Sequence, residues 1–226
     1  MKKVAFLVGS GFKRFFPNGD NPVVFENPEF VVLNRHHSQV EYYPHAIPYL
    51  WNNNKLKELG VTDIFSFNTV GAIEEQLSNG DIVIPNDLIN YTAGRKLSIF
   101  KDTTTQGERL HVDFTNPFTK ELQCVLEKHL LVKVPSSGNF VCAVTNGPRF
   151  ETPAEIRRMK KDGCHIVNMT LMPEAIFARE SGMRYACASI VVNPAAGYKT
   201  EVVPADVDEV IGKIWSSFPH ISKEVV

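Results

Sequence analysis

Short apolar runs recur along the chain at lengths that fit buried β-strands. Several are continuously hydrophobic rather than alternating, which is typical of a parallel sheet covered on both faces. The runs predict strands at Val4–Val8, Phe30–Leu33, Ile64–Phe67, Asp81–Ile84, Phe140–Thr145, His165–Asn168 and Tyr185–Val192. The hydrophobic pattern therefore predicts a central, mostly parallel sheet.

Segments of helical length lie between these runs. They span Ile47–Leu59, Lys120–His129, Ala154–Asp162, Pro173–Ser181 and Asp206–Phe218. The alternation of strand and helix predicts an α/β fold with helices packed against the sheet. The polar stretches Phe16–Pro28 and Lys101–Gly107 are predicted to be surface loops.

The best-marked helix begins within TNGPRFETPAEIRRMKKDG, residues 145–163. Thr152 fits the N-cap, Pro153 the first helical position and Glu155 the third residue after the cap, which together predict a capping box. Glu155 thus has a structural role, whereas Phe150 and Glu151 are left at the start of the helix. They are either ordinary loop residues or a surface that holds a flat molecule with a polar edge.

Composition favours one domain, residues 1–226, with a small-molecule partner. The chain has 226 residues of which 43% are hydrophobic, enough for a single large core. Its 24 basic and 25 acidic residues give a net charge of -1, so it lacks the basic field typical of proteins that bind nucleic acid or anionic membranes. The apolar run near the start stops at Gly9 without a cleavage site, which predicts a strand and not a signal peptide.

The four cysteines are widely spaced and form no C-x-x-C pair. This spacing disfavours disulfides and metal sites, and it is typical of reduced thiols in a cytosolic protein. We therefore expect a cytoplasmic protein without a metal.

Anion-binding residue types follow three predicted strands. VGSGF allows the Ser10 hydroxyl and the backbone to approach an anion, although it lacks the third glycine of a dinucleotide fingerprint and the lysine of a P-loop, and a plain tight turn fits as well. LNRHHSQ offers Arg35 and a neighbouring imidazole, with a solvated cationic corner as the alternative. FNTVGAI offers Asn68 and Thr69. Ligands gather at the carboxyl ends of strands in open α/β sheets, so the convergence predicts an anion site.

Two further strand ends carry groups suited to an organic ligand. In VNMTLMPEA, Met169 and Thr170 could contact an apolar ligand and an anion, or could be a core residue and a helix cap. In SIVVNPAAGY, the Asn193 amide can donate and accept toward a heteroaromatic edge, or it can form a turn before Pro194.

These motifs, taken together, resemble the trimeric family of purine nucleoside and methylthioadenosine phosphorylases. The resemblance extends over nearly the whole chain, through GSG, NRHH, GDIVIPNDLINYT, HVDFTNPF, GPRFETPAEI, NMTLMPEA and VVNPAAG in family order. The ETPAEI, MPEA and VVNPAAG segments are most similar to bacterial 5'-methylthioinosine phosphorylases. The resemblance implies a three-layer α/β fold of the purine/uridine phosphorylase type, with a mixed, mostly parallel sheet. It also implies attack of phosphate on C1' of a purine nucleoside, with no cofactor.

The family positions imply a role for each candidate residue. The implied phosphate ligands are Ser10, Arg35, His36, Asn68, Thr69 and Thr170, and the implied catalytic residues are Arg35, His36 and Asn193. Around the nucleoside, Met169 would lie under the ribose, Phe150 would stack on the base, and Ala195 would line the base site. Glu151 would accept from N1–H of a 6-oxopurine, and Asn193 would meet N7 and O6.

The other end of the nucleoside is implied by three more positions. Val207 and Val210 match apolar residues of methylthio-specific members, and His111 matches a residue that reaches into a neighbouring subunit, which implies a homotrimer. Inosine or guanosine phosphorolysis and methylthioadenosine phosphorolysis are the alternative activities. A hydrolase would not need the phosphate ligands, and a non-catalytic purine-binding module would need only the residues around the base.

Two departures from the family pattern leave questions open. RHH replaces RHG, so either His36 or His37 could contact phosphate. The segment Phe16–Phe30 is also shorter than in relatives, which puts the shape of the loop beside the phosphate in doubt.

Overall fold

The computed structural model describes residues 2–16, 23–37, 40–100 and 111–225. Within these ranges the chain forms ten strands and five α-helices. The strands are β1 Val4–Val8, β2 Val24–Glu26, β3 Val31–Asn34, β4 Asp63–Ala72, β5 Ile82–Val83, β6 Asp87–Asn90, β7 Val132–Val134, β8 Val141–Val144, β9 Ile166–Asn168 and β10 Arg184–Pro194. The helices are α1 Tyr49–Glu58, α2 Lys120–His129, α3 Pro153–Lys161, α4 Leu171–Glu180 and α5 Asp208–Val225.

One mixed sheet contains all ten strands. Its main path runs β2-β3-β1-β4-β10-β5-β7, and β9 pairs with the end of β4 and leads on to β8 and β6. Most pairs are parallel, and the antiparallel ones are β2 with β3, β4 with β9, and β5 with β10. The α/β fold with a mixed, mostly parallel sheet is therefore confirmed.

Helices cover both faces of this sheet. One face carries α2 and α5, whose packing includes Phe218 of α5 stacked on Phe6 of β1 with ring centroids 3.8 Å apart. The other face carries α1 and α4, which contribute Leu56 and Ala175 to a second buried cluster. Among the described residues, no helix is long and apolar enough to cross a membrane.

The parallel register of the central strands brings their carboxyl ends to one edge. Val8 of β1 pairs with Asn34 of β3, and Asn193 of β10 pairs with Gly71 of β4. The residues that follow β1 and β3 therefore lie beside the ends of β4 and β10, which explains how distant segments reach one site.

Three strands, the end of β4 and one helix end were not predicted correctly. β4 was predicted to end at Phe67 but runs to Ala72, so Asn68 and Thr69 lie within this strand and not after it. β2 lies inside the stretch predicted as a loop, and β6 and β7 were missed, because the residues of these strands are partly exposed and form no continuous apolar run. α5 was predicted to end at Phe218 but continues past Pro219 to Val225. Ile221 and Val225 remain buried there, so packing outweighs the bond that proline removes. The predicted loop Lys101–Gly107 lies outside the described residues.

Candidate active site

A cavity of about 660 Å³ lies at the edge where the central strands end. Most of the predicted site residues line it: Ser10, Arg35, His36, Asn68, Thr69, Phe150, Glu151, Met169, Thr170, Asn193, Ala195 and Val207. They come from seven separate stretches of sequence, and the strand register described above helps to bring these stretches together.

Arg35 lies at the inner end of the cavity and is 1% exposed. Its Nε donates to Glu174 Oε1 at 2.7 Å, and Nη2 donates to Leu7 O at 3.0 Å and Ser66 Oγ at 2.8 Å. Nη1 donates to Phe67 O at 2.7 Å. Of the five N–H groups of a guanidinium, one on Nη1 has no acceptor among the described residues. Arg35 in this conformation can therefore offer an anion one hydrogen bond and not a bidentate pair.

Glu174 balances the charge of Arg35. Besides the arginine, Ser66 Oγ donates to Glu174 Oε2 at 3.2 Å and Tyr185 Oη donates to the same oxygen at 3.1 Å. The ion pair is almost fully buried, with side-chain exposures of 1% for Arg35 and 5% for Glu174. A buried pair of this kind depends on such extra hydrogen bonds, because both charges have lost their water. Net positive charge at the inner end of the cavity is consequently small.

The structure separates the two histidines after β3. His36 lines the cavity, and its Nδ1 lies 2.7 Å from Tyr42 O. His37 has a left-handed backbone, φ 63°, and its ring packs on Trp51 and bonds to Asn52 Oδ1 at 2.8 Å. His37 thus faces α1 and not the cavity. The left-handed backbone also explains why glycine fits this position in the family pattern.

The protonation of His36 follows from its surroundings. Burial lowers the pKa of His36, with a further contribution from the charge of Arg35. The Tyr42 carbonyl can only accept, so Nδ1 carries the hydrogen, and Nε2 of the neutral ring is an acceptor. His36 is therefore suited to accept a hydrogen bond from a protonated phosphate oxygen.

Asn68 has a buried oxygen atom without a partner among the described residues. Its Nδ2 lies 2.9 Å from Cys187 Sγ, whereas Oδ1 is unpaired. Burial raises the pKa of Cys187 to about 12, so the sulfur keeps its hydrogen. Turning the amide by half a rotation lets the thiol donate to Oδ1, and Nδ2 then takes the buried position of the oxygen. The role of Asn68 as a phosphate ligand stays a prediction.

Three hydroxyl groups line the same end of the cavity. Ser10 and Thr69 are exposed, whereas Thr170 is 6% exposed. Thr170 is held by Asn168, whose Oδ1 accepts from Thr170 N at 2.7 Å and Leu171 N at 2.8 Å. Asn168 thereby caps the start of α4 and places the Thr170 side chain at the cavity.

The opposite wall carries an aromatic ring and a carboxylate. The Phe150 side chain is 45% exposed, which is unusual for phenylalanine and leaves its face open to a flat ligand. Glu151 is 8% exposed, and its Oε1 accepts from Thr145 Oγ1 at 2.7 Å. Its Oε2 has no bond to a described residue and remains an acceptor for a ligand.

The turn before α3 is fixed by the predicted capping box. Glu155 N donates to Thr152 Oγ1 at 3.2 Å, and Thr152 N donates to Glu155 Oε2 at 2.7 Å. Arg149 forms two bonds to the same carboxylate, at 2.8 and 2.9 Å. The Arg149 side chain and the Thr152 amide lower the pKa of Glu155 to about 2. Glu155 thus has the structural role predicted for it, and it fixes the backbone that carries Phe150 and Glu151.

Asn193 lies between these two ends of the cavity and is 4% exposed. One N–H of Nδ2 donates to Pro194 O at 2.8 Å, which leaves the second N–H and Oδ1 for a ligand. Gly71 makes room for the amide, since a Cβ at this position would lie 3.2 Å from Asn193 Nδ2. Ala195 is buried beside them.

The apolar end of the cavity differs in one residue from the prediction. Val207 and Ile211 line it, and they are one helical turn apart. Val210 does not line the cavity but faces Gly80, where an added Cβ would lie 3.6 Å from Val210 Cγ2. The predicted contact at Val210 is therefore better assigned to Ile211. His111 is exposed and does not line the cavity of its own chain, so its role across a subunit boundary stays a prediction.

Several residues that shape the site were not found from the sequence. They are Thr145, Asn168, Glu174 and Ile211. Glu174 stands in the quoted MPEA segment, so a carboxylate near the start of a largely apolar helix was the available signal. The others have no signal in residue type alone, because their roles depend on contacts with distant segments.

Comparison with known proteins supports a family assignment. The chain matches the Phosphorylase superfamily over residues 31–224. It is 40% identical over 199 residues to a probable S-methyl-5'-thioinosine phosphorylase from Pseudomonas syringae pv. tomato, covering 85% of this chain and 80% of that protein. It is 33% identical to the 6-oxopurine nucleoside phosphorylase of Pyrococcus furiosus, covering 99% of this chain and 95% of that protein.

A solved structure agrees with this assignment. The methylthioadenosine phosphorylase of Schistosoma mansoni in complex with tubercidin superimposes with a TM-score of 0.86 and 25% identity, covering 100% of this chain and 92% of that chain. The ten-stranded sheet, the cavity at its strand ends and these similarities lead to one conclusion: the chain belongs to the phosphorylase superfamily.

Proposed function

We propose that this enzyme catalyses phosphorolysis of a purine nucleoside, with 5'-methylthioinosine as its preferred substrate. The products are hypoxanthine and 5-methylthioribose 1-phosphate. The observation that carries the proposal is that one cavity is lined both by anion-binding groups, among them Arg35 and Thr170, and by an aromatic ring and a carboxylate, Phe150 and Glu151. A hydrolase would not need the anion-binding groups, and a purine-binding module would need only the aromatic ring and the carboxylate.

The chemistry follows from this arrangement. A phosphate oxygen forms a bond to C1' while the bond from C1' to the base breaks, and the bonding electrons leave with the purine. The transition state has oxocarbenium character, so the site must hold an anion near C1' and stabilise negative charge on the base. His36 and Arg35 bind the anion, and the free N–H of Asn193 stabilises the negative charge on the base. Donors placed at developing charge are typically worth about 10² to 10³ in rate.

The choice of substrate rests on both ends of the cavity. Glu151 Oε2 pairs with the N1–H of a 6-oxopurine and is repelled by the unprotonated N1 of adenine. This favours methylthioinosine over methylthioadenosine. The apolar pair Val207 and Ile211, 9% and 2% exposed, favours a 5'-methylthio group over a hydroxyl. Phosphorolysis of inosine or guanosine is the second candidate, supported by the similarity to the Pyrococcus furiosus protein.

The first prediction is that base release depends on phosphate. The purified protein should liberate hypoxanthine from 5'-methylthioinosine when phosphate is present, because phosphate is the attacking group. Product formation would be followed by chromatography in phosphate-free buffer and across a phosphate titration. Inosine, guanosine and methylthioadenosine would be compared in the same assay. Equal base release without phosphate would instead identify a hydrolase.

The second prediction is a homotrimer with shared sites, for which the match of His111 to the family's cross-subunit residue is the support. We expect a molecular mass of three chains by light scattering. His111→Ala should lower the rate with 5'-methylthioinosine while Arg184→Ala, a substitution far from the cavity, should not. A fully active monomer at nanomolar concentration would contradict the proposal.

We further propose that the enzyme is cytoplasmic, and its unpaired cysteines are consistent with that location. We also propose that it needs phosphate as co-substrate and no cofactor.

A further inference from the structure

Arg95 lies outside the cavity lining but makes an unusual set of contacts. All four terminal N–H groups of its guanidinium donate to main-chain carbonyls. Nη1 donates to Met169 O at 2.9 Å and Met172 O at 2.6 Å, and Nη2 donates to Pro44 O at 3.0 Å and Asn146 O at 2.8 Å. One side chain therefore joins three stretches of backbone that are distant in sequence.

Each of these stretches carries groups assigned above to the reaction. The carbonyl at position 44 belongs to the loop that fixes His36 through Tyr42 O. The carbonyl at position 146 belongs to the turn that leads to Glu151. The carbonyls at 169 and 172 flank Thr170 at the start of α4. Arg95 thus connects the anion end of the cavity with the base end.

Neighbouring contacts make this connection rigid. Tyr49 Oη donates to Pro44 O at 2.7 Å, and the Tyr49 ring lies under the guanidinium, with Arg95 Cζ 5.2 Å from the ring centroid. Gly147, in the same turn as Asn146, packs so closely that an added Cβ would lie 2.4 Å from Met169 Sδ. The turn at Gly147 therefore packs closely against Met169, the residue that follows β9.

The backbone at Met172 supplies one of the acceptors. Its φ and ψ of -109° and 127° are not helical, so its carbonyl leaves the pattern of α4 and is free to accept from Arg95. Without a donor, this half-buried carbonyl would lose the free energy of a hydrogen bond. Arg95 therefore donates to a carbonyl that the irregular start of α4 directs away from the helix.

We propose that Arg95 is a positioning residue for the phosphorolysis proposed above. It sets the distance between the groups that hold phosphate and those that hold the purine. Only arginine suits this role, because its planar fork presents four terminal N–H groups in fixed directions, whereas lysine has three donors on a freely rotating group. Displacement of reacting groups by about 1 Å can cost roughly 10² in rate, so the position of these segments matters to the chemistry.

The test compares Arg95→Ala and Arg95→Lys with Arg184→Ala. Arg184 pairs with the buried Asp63 where β10 and β4 begin, at the ends of these strands away from the cavity. Loss of this pair therefore destabilises the protein far from the cavity. We expect Arg95→Ala to lower kcat by roughly 100-fold and Arg95→Lys to lie between it and the unaltered protein. Arg184→Ala should keep its kcat at a temperature where all variants are folded.

Two further measurements separate positioning from general loss of structure. Millimolar guanidinium should restore part of the activity of Arg95→Ala and leave the activity of Arg184→Ala unchanged. Hydrogen exchange should accelerate in residues 144–151 and 168–172 of Arg95→Ala, but not of the control. If Arg95→Ala does not fold, the same kinetic and exchange comparisons on Arg95→Lys decide the question.

The outcomes distinguish this inference from the proposed function on which it rests. An unaltered protein that releases no base with phosphate overturns the proposed function. The unaltered protein could instead be active while the Arg95 variants have the same kcat as Arg184→Ala and unchanged hydrogen exchange in both segments. That outcome would overturn only the role proposed for Arg95.

Discussion

Replacement of Asn193 by aspartate is expected to reduce the preference for 6-oxopurine nucleosides more than any other single change. The unaltered site should favour 5'-methylthioinosine over 5'-methylthioadenosine by roughly 10⁴, since a mismatched base leaves buried polar groups unpaired. In the variant, a carboxyl oxygen would lie near Pro194 O, which Asn193 Nδ2 now contacts at 2.8 Å. Two acceptors repel at this distance, so the carboxyl group should turn away from Pro194 O. Burial then favours its protonated form, whose single hydrogen is donated to N7 of either base. The ratio of the two kcat/KM values measures the effect.

Controls separate base recognition from a general loss of activity. Asn193→Ala should lower both rates by similar factors, because it removes the donor to N7 without adding a new one. Thr145→Val should weaken recognition of the 6-oxopurine alone, since it removes the hydroxyl that orients Glu151 at 2.7 Å. Efficient cleavage of methylthioadenosine, with little of methylthioinosine, by the unaltered protein would show that the roles of Glu151 and Asn193 are wrong.

Loss of either member of the Arg35–Glu174 pair is expected to be the most destabilising change in the protein. Removing one partner of a buried pair leaves an uncompensated charge, which typically costs about 3–5 kcal/mol of unfolding free energy. For a chain of this size, that corresponds to a melting temperature lower by roughly 10 °C. Chemical denaturation of Arg35→Met and Glu174→Met measures the effect. Substitution of Arg35 alone therefore combines a folding defect with any loss of phosphate binding.

The double variant Arg35→Met with Glu174→Met resolves the two effects. It removes both charges, so its loss of stability should be smaller than the sum of the single losses. Its apparent KM for phosphate should still rise by about 10 to 100-fold, the equivalent of one hydrogen bond to a charged group. An unchanged phosphate KM in this folded variant would mean that Arg35 does not contact phosphate. Additive stability losses would mean that the pair does not act as a unit.

Much of the fold was predictable because its central strands are long and apolar. β1, β4 and β10 contain apolar runs, and polar residues next to these runs line the cavity. The edge strand β2 was missed because three residues, only partly buried, give no period. α5 was predicted too short because proline is a poor helix residue, although buried Ile221 and Val225 outweigh that preference.

The cavity was predictable in its residue types but not in its bonding. The sequence indicated an arginine after β3, but not that Glu174, 139 residues away, would pair with its charge, or that Ser66 and two main-chain carbonyls would occupy three more of its donors. Nor could it decide between His36 and His37, because the backbone turn at His37 that sends its ring toward α1 is set by tertiary contacts. Partners distant in sequence leave no local pattern, so such contacts need the folded structure.

The buried charge pair also constrains how such a site can evolve. Glu151 and Asn193 line the cavity and Thr145 bonds to Glu151, so a single substitution among them can alter which base is accepted while the core remains intact. Arg35 and Glu174 stabilise the core as well as shaping the anion site, and a change in either must be matched at once by a change in the other. Lineages that share this architecture should therefore diversify in the nucleobase they accept and retain the same nucleophile.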